Sequence, residues 1–217
     1  MQSISRFIQN YILSKFSFVL IISLIITYLS KILLISDNLL FNFYSEVLSY
    51  ERIEYLIEQG KKWEWLGYAI IPIIYLIKFS FVALCLSLGL FLLNTAHSFK
   101  QLFELAVKAE LVFIMAGLFK ILWFLFIKTN YTLLDLQYFS PLSLQNIISI
   151  QKSDTWLIYP LQIINLFELL YWFVLAYGIS KLIKTNLQDG MKIVLSSYVP
   201  ALFLWVVFVT FLAINMT

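Results

Sequence analysis

The chain has 217 residues, 62% of them hydrophobic and only 12% charged, with a mean hydropathy of +0.90. A soluble domain carries about 45–50% apolar and about 25% charged residues, so the composition excludes a water-soluble globular protein and points to the bilayer. The net charge of +3 comes without a basic stripe, which argues against nucleic acid as a partner.

The first segment, residues 1–15, sets Ile4, Phe7, Ile8, Tyr11 and Ile12 at helical spacing beside Arg6 and Lys15. That pattern predicts a helix lying in the cytoplasmic interface. Residues 16–217 are read as one domain of five apolar blocks, each long enough for a hydrocarbon core that needs roughly 20 helical residues. The blocks run over Phe16–Ser36, Leu66–Leu93, Leu105–Ile127, Leu157–Ile183 and Met191–Ile214. None alternates polar with apolar residues, so each is expected to be a helix rather than a barrel strand, and the fold class is all-α and polytopic. The first block has too long an apolar core, and no small-x-small site, for a cleaved signal peptide. Trp63, Trp65 and Trp156 sit at block ends as interfacial anchors.

Between the first two blocks, residues 38–60 predict an amphipathic helix outside the membrane. Leu40, Phe43, Tyr44, Val47, Tyr50, Ile53 and Ile57 line one face, Glu46, Glu51, Glu54 and Glu58 the other, and Gly60 serves as C-cap. Acidic residues suit anionic headgroups poorly, so packing over the bundle or against a protein partner competes with a lipid surface. Between the third and fourth blocks, Ser140 and Pro141 have the N-cap and first-turn chemistry of a further short helix. Lys and Arg divide almost evenly between the two sides. With the first block's N-terminus inside, seven lie inside and six outside, and the expected topology is N-terminus cytoplasmic and C-terminus outside, in a bacterial plasma membrane.

Three charges fall within apolar blocks. Lys78 lies 12 residues past Leu66, Glu168 lies 11 past Leu157 and Lys120 lies 7 before Ile127. At 1.5 Å per residue these are roughly 18, 16 and 10 Å below the outer boundary, one layer in the middle to outer half of the bilayer. Ionisable groups at such depth normally face the bundle interior. The expectation is a Glu168–Lys78 or Glu168–Lys120 pair. The alternatives are a snorkelling Lys120 and a Glu168 that is protonated or bonded to Asn165 or Gln162.

Ser80, Ala83 and Ser87 in the second block, and Ser197 with Ala201 in the fifth, mark faces where helices approach closely. Pro72, Pro160 and Pro200 are expected to kink or end their helices. Chemistry has little to work with. His97 is the single histidine and reads as an interfacial residue, Cys85 is the single cysteine, and no phosphate loop, dinucleotide fingerprint, HExxH or CxxC is present. No cofactor or metal is expected, and no enzyme.

From Ser98 to Ile214 the order "HSFKQLFELAVKAELVFIMAGLF", "YFSPLSL", "LIYPLQIINLFELLYWFVLAYGISKLIKTN" and "MKIVLSSYVPALFLWVVF" resembles the YIP-domain family of five-span membrane proteins. The resemblance implies a non-catalytic protein with a cytoplasmic N-terminus and its C-terminus across the membrane. Eukaryotic members are linked to vesicle traffic through a cytosolic N-terminal region that the short segment before the first block does not supply. Taken together, these features predict a subunit or scaffold of a membrane complex, embedded in lipid with a membrane-protein partner or as a homo-oligomer. The alternative is a transporter or permease component with a polar path lined by Lys78, Lys120 and Glu168.

Overall fold

The computed structural model describes residues 2–148 and 156–216, with side chains described from Ser14 to Asn215 within those ranges. The elements are α1 (Gln2–Leu34), α2 (Asp37–Tyr44), α3 (Tyr50–Leu92), α4 (Phe99–Ala109), α5 (Leu111–Phe126), α6 (Leu133–Tyr138), a 3₁₀ turn (Leu144–Asn146), α7 (Ile158–Ile163), α8 (Leu166–Ile183) and α9 (Leu187–Met216). Five helical spans are long and apolar enough to cross a bilayer, and α4 with α5 makes up one of them. The protein is therefore an all-α, polytopic integral membrane protein, as composition requires.

The side chains of Ile4, Arg6, Phe7, Ile8, Tyr11 and Ile12 lie outside the described residues. The backbone there is helical and continues into the first span without a break at residue 16. The outer amphipathic helix differs from expectation. Residues 38–60 do not form one helix: α2 ends at Tyr44, a turn follows, and α3 starts at Tyr50 and runs unbroken for 43 residues into the second span. Of the predicted face, Ile53 is buried and Leu40, Tyr44 and Ile57 are partly covered. Phe43, Val47 and Tyr50 are exposed, because the turn swings them off the line a continuous helix would keep. Gly60 lies inside α3 and caps nothing.

Of the two outcomes expected at the prolines, a kink or an end, Pro72 and Pro200 do not end their helices: α3 and α9 pass through them, as membrane helices do when neighbours cover the freed carbonyls. Pro160 sits in the first turn of α7, where its missing N–H costs nothing. Ser140 and Pro141 open a turn instead of a helix, and the Ser140 hydroxyl donates to the Gln162 carbonyl at 3.2 Å.

α4 is the hub, in contact with α1, α3 and α8, while α9 closes against α3 and α8, and α5 packs on α1 and α8. Phe79, Leu86, Leu102, Ala106, Tyr171, Leu175 and Ile179 form the centre of the core. α1 is fastened to the bundle at two levels. Lys15 pairs with Glu104 at 2.6 Å, and Lys31 pairs with Glu64 of α3. The small-residue faces mark packing: Ala83 is fully buried, Ser80, Ser87 and Ala201 are partly buried, and Ser197 lies against Gly89 of α3.

Helices α8 and α9 approach closely enough to meet backbone to backbone. A Cβ added at Gly190 would lie 2.3 Å from the Ala176 carbonyl oxygen, a backbone atom that cannot rotate away. Gly67 in α3 has nothing within 4 Å. Gly190→Ala is therefore expected to lower the melting temperature in detergent, by about 1–3 kcal/mol of overpacking. Gly67→Ala, which only removes backbone freedom inside a helix, should leave it unchanged or raise it. A thermal-melt comparison of the two variants checks both.

Candidate functional site

The sequence places a carboxylate, Glu168, in the run "NLFELLYWF", and local chemistry decides its position. The predicted fourth block is not one helix. Ile164 leaves helical geometry with ψ 87°, and α8 restarts behind Asn165, whose side-chain oxygen accepts the Glu168 N–H at 2.8 Å. Asn followed three residues later by Glu is an N-cap signature. Glu168 thus occupies the first turn of α8, where the helix dipole favours negative charge. Residues 142–144 brace this restart from the loop side: Leu144 N–H donates to the Ile164 carbonyl at 3.0 Å and Leu166 N–H to the Leu142 carbonyl at 3.2 Å.

Glu168 pairs with neither lysine. Its Oε1 accepts the Trp172 indole N–H at 2.8 Å, one helical turn on, and the Tyr198 hydroxyl of α9 at 3.0 Å. The residue is 6% exposed. Of the two amides considered as partners, Asn165 bonds the Glu168 backbone N–H and Gln162 does not bond the residue, and neither reaches its carboxyl. Asn165 donates to the carbonyls of Gln162 and Ile163, and Gln162 donates to that of Tyr138.

Lys78 pairs instead with Glu110, which sequence reading passed over. Its ammonium lies 2.7 Å from both carboxylate oxygens and 4.3 Å from the centre of the Phe113 ring. Glu110 is 2% exposed and forms the joint between α4 and α5, where Phe113 N–H takes a tighter, 3₁₀-type bond to the Glu110 carbonyl. The third span starts at Phe99, six residues before the predicted boundary at Leu105. The earlier start places Glu110 eleven residues deep instead of five. The signal that could have found it is Ser98, an N-cap residue type, followed by Phe99, Leu102 and Phe103 at helical spacing.

The common layer therefore has a different membership. Measured from the end of the bundle where α3 joins α4 and α8 joins α9, Lys78 stands roughly 21 Å along its helix, Glu168 roughly 22 Å and Glu110 roughly 16 Å. Tyr198 and Tyr171 stand at a similar level, their rings 5.6 Å apart. Lys120, at roughly 31 Å, is a level higher. It does not meet Glu168; its ammonium donates to the carbonyls of Leu136 (2.7 Å) and Phe139 (3.2 Å), capping the C-terminal end of α6.

The same short helix is capped at its start. Thr132 and Asp135 form a reciprocal capping box, and Lys128 donates to Asp135 at 2.7 Å. Burial acts to raise the Asp135 carboxyl, but the bonds from Lys128 and from the Thr132 N–H and hydroxyl outweigh it, so the group lies below the ordinary carboxylate range.

Two lateral grooves reach the buried cluster. One, of about 230 Å³, is lined by Pro160, Asn165, Glu168, Trp172 and Leu202, and the other, of about 370 Å³, by Ile74, Lys78, Tyr198, Leu202 and Trp205. Their walls are otherwise apolar. The Tyr171 hydroxyl, fully buried within electrostatic reach of Glu110 and Glu168, has no hydrogen-bond partner among the described residues. At the bundle end, exposed His97 fixes its own tautomer: Nδ1 donates to the Thr95 carbonyl at 2.9 Å, which leaves Nε2 to accept the Ser87 hydroxyl at 2.7 Å. Among the described residues no group of His, Cys, Asp and Glu could hold a metal.

Magnitudes rank these groups. Removing an ion from water costs several kcal/mol, which a well-made ion pair recovers, whereas a neutral hydrogen bond returns only about 0.5–1.5 kcal/mol. Lys78 and Glu110 satisfy that condition; an ionised Glu168 would not. Compared with known protein families, curated proteins and solved structures, the chain matches none.

Two expectations follow. Lys78→Met should destabilise the protein by about 3–5 kcal/mol, because it leaves the buried Glu110 carboxylate alone, and Glu110→Gln should cost less, because the Lys78 side chain is 37% exposed. Replacing both residues with Met should cost much less than the two losses added, a difference that a thermal double-mutant cycle in detergent reads out. For α6, a lowered Asp135 means that its contribution to stability is present above its ordinary value of 3.8 and is lost as pH falls below that toward the native value. Amide protection of residues 133–138 should therefore drop on acidification through that range, and Asp135→Asn should abolish the pH dependence.

Proposed function

We propose that this protein is a non-enzymatic subunit or scaffold of a membrane complex. The observation that carries this proposal is the outer arm. α3 is 43 residues long, roughly 64 Å, about twice the hydrocarbon thickness, so its first half with α2 stands beyond the bilayer. From Asp37 to Glu64 that arm holds six acids against three bases. Glu46, Glu51, Glu54 and Glu58 are exposed alongside Val47, Tyr50, Tyr55 and Trp63. Anionic headgroups repel such a surface, whereas a basic protein surface with apolar pockets complements it. Supporting it from within, Lys15, Lys31, Lys78 and Lys120 all close on groups of the same chain, as expected of a bundle held for its shape. The YIP-like rhythm supports the same non-catalytic role and a cytoplasmic N-terminus in a bacterial plasma membrane.

A transporter or permease component is the second proposal. It is favoured by the two grooves, which share Leu202 and reach Glu168 and Lys78 respectively. Lys120, a level away and capped on α6, has no part in it.

Purification of the tagged chain in mild detergent should recover a partner that is lost when Glu46, Glu51, Glu54 and Glu58 are changed to Lys and retained in Glu168→Gln. Recovery of a monodisperse, solitary chain, or of a partner indifferent to charge reversal, would overturn the scaffold. Substrate uptake abolished by Glu168→Gln would favour transport instead.

A further inference from the structure

Charge and hydrogen-bond geometry around Glu168 carry a conclusion independent of both functional proposals. Lys78 is committed to Glu110 at 2.7 Å and lies beyond ion-pair distance of Glu168. The pair is neutral as a unit, so an ionised Glu168 would leave one excess negative charge, 6% exposed, between α8 and α9. The groups facing it are Trp172 and Tyr171 on its own helix, Tyr198 on α9, Glu110 at the α4–α5 joint and Lys78 on α3. None supplies a free cation.

Both hydrogen bonds to the side chain end on the same atom. Trp172 N–H and Tyr198 O–H donate to Oε1, and Oε2 receives no donor among the described residues. An ionised carboxylate has two equivalent acceptor oxygens, while a carboxylic acid divides into a carbonyl oxygen that accepts and an O–H that donates. Both donors fall on Oε1 and none on Oε2, which leaves the second oxygen open to carry a proton. A metal cation is disfavoured by the same geometry, because the groups in contact with Oε1 are donors and offer no oxygen cage.

We propose that Glu168 is a proton-binding site, neutral in the resting protein with its proton on Oε2, and that it sets the charge of the joint between α8 and α9. Exchange is with water: the O–H bond on Oε2 breaks, the electron pair stays on the carboxylate, and the proton leaves on a water molecule. The Tyr171 hydroxyl, buried and without a partner among the described residues, stands within electrostatic reach of both carboxylates. Deprotonation would put Glu168 and Glu110 in mutual repulsion between α8 and the α4–α5 joint.

Infrared spectroscopy of the full chain in maltoside micelles, which carry no ester carbonyl, tests this directly. At neutral pH the wild type should show the carbonyl band of a protonated carboxyl, and Glu168→Gln should lack it. Should Glu168→Gln fail to fold, Tyr198→Phe decides: loss of one hydrogen bond to Oε1 should move the band to higher frequency. Absence of the band in the wild type, its persistence in Glu168→Gln, or its indifference to Tyr198→Phe would overturn the proposal.

Discussion

An ion buried in hydrocarbon must find its counter-charge within the same bundle, and the Lys78–Glu110 pair is where this chain meets that demand. The pair ties α3 to the joint between α4 and α5, the span that touches α1, α3 and α8. The Phe113 ring under the Lys78 ammonium belongs to α5 and also packs on Tyr171 of α8. One electrostatic contact thereby fixes the rotation of α3 and the angle between α4 and α5, and through Phe113 it sets the level at which α8 packs.

Glu168 belongs to the same level but is held by different forces. Its backbone N–H is taken by Asn165, its carboxyl by Trp172 and Tyr198, and the dipole of α8 points its positive end toward it. These bonds orient the group without neutralising it. The contrast between a carboxylate with a cation and one with neutral donors only, side by side in one buried cluster, is the chemical asymmetry of this protein. Both lateral grooves reach that cluster, one past Glu168 and the other past Lys78.

Much of the fold was legible from the chain alone. Five spans, helical throughout, followed from block length and hydropathy, because lipid leaves a backbone no other way to satisfy its polar groups. The packing residues Ala83 and Ser197 were legible too, since small side chains are what let helices approach. The outer arm was misread as one helix because the spacing of Leu40, Tyr44, Val47 and Ile57 fits a single periodic face, and periodicity carries no mark of the turn after Tyr44. Lys120 was assigned to the charge layer because its depth was counted from a block end, whereas its partners are carbonyls of α6, a six-residue helix too short to announce itself.

What the sequence determined by itself is the environment and the inventory: an all-helical membrane protein with a few ionisable groups carried into its interior. Which of those groups meet was decided only in three dimensions. A break after Ile163 moved Glu168 to a helix start, and an early start at Phe99 carried Glu110 to the depth of Lys78. Contact between side chains on different helices depends on where each helix begins and how far it is turned about its axis. A hydropathy profile averages over several residues and is blind to rotation, so it records neither quantity.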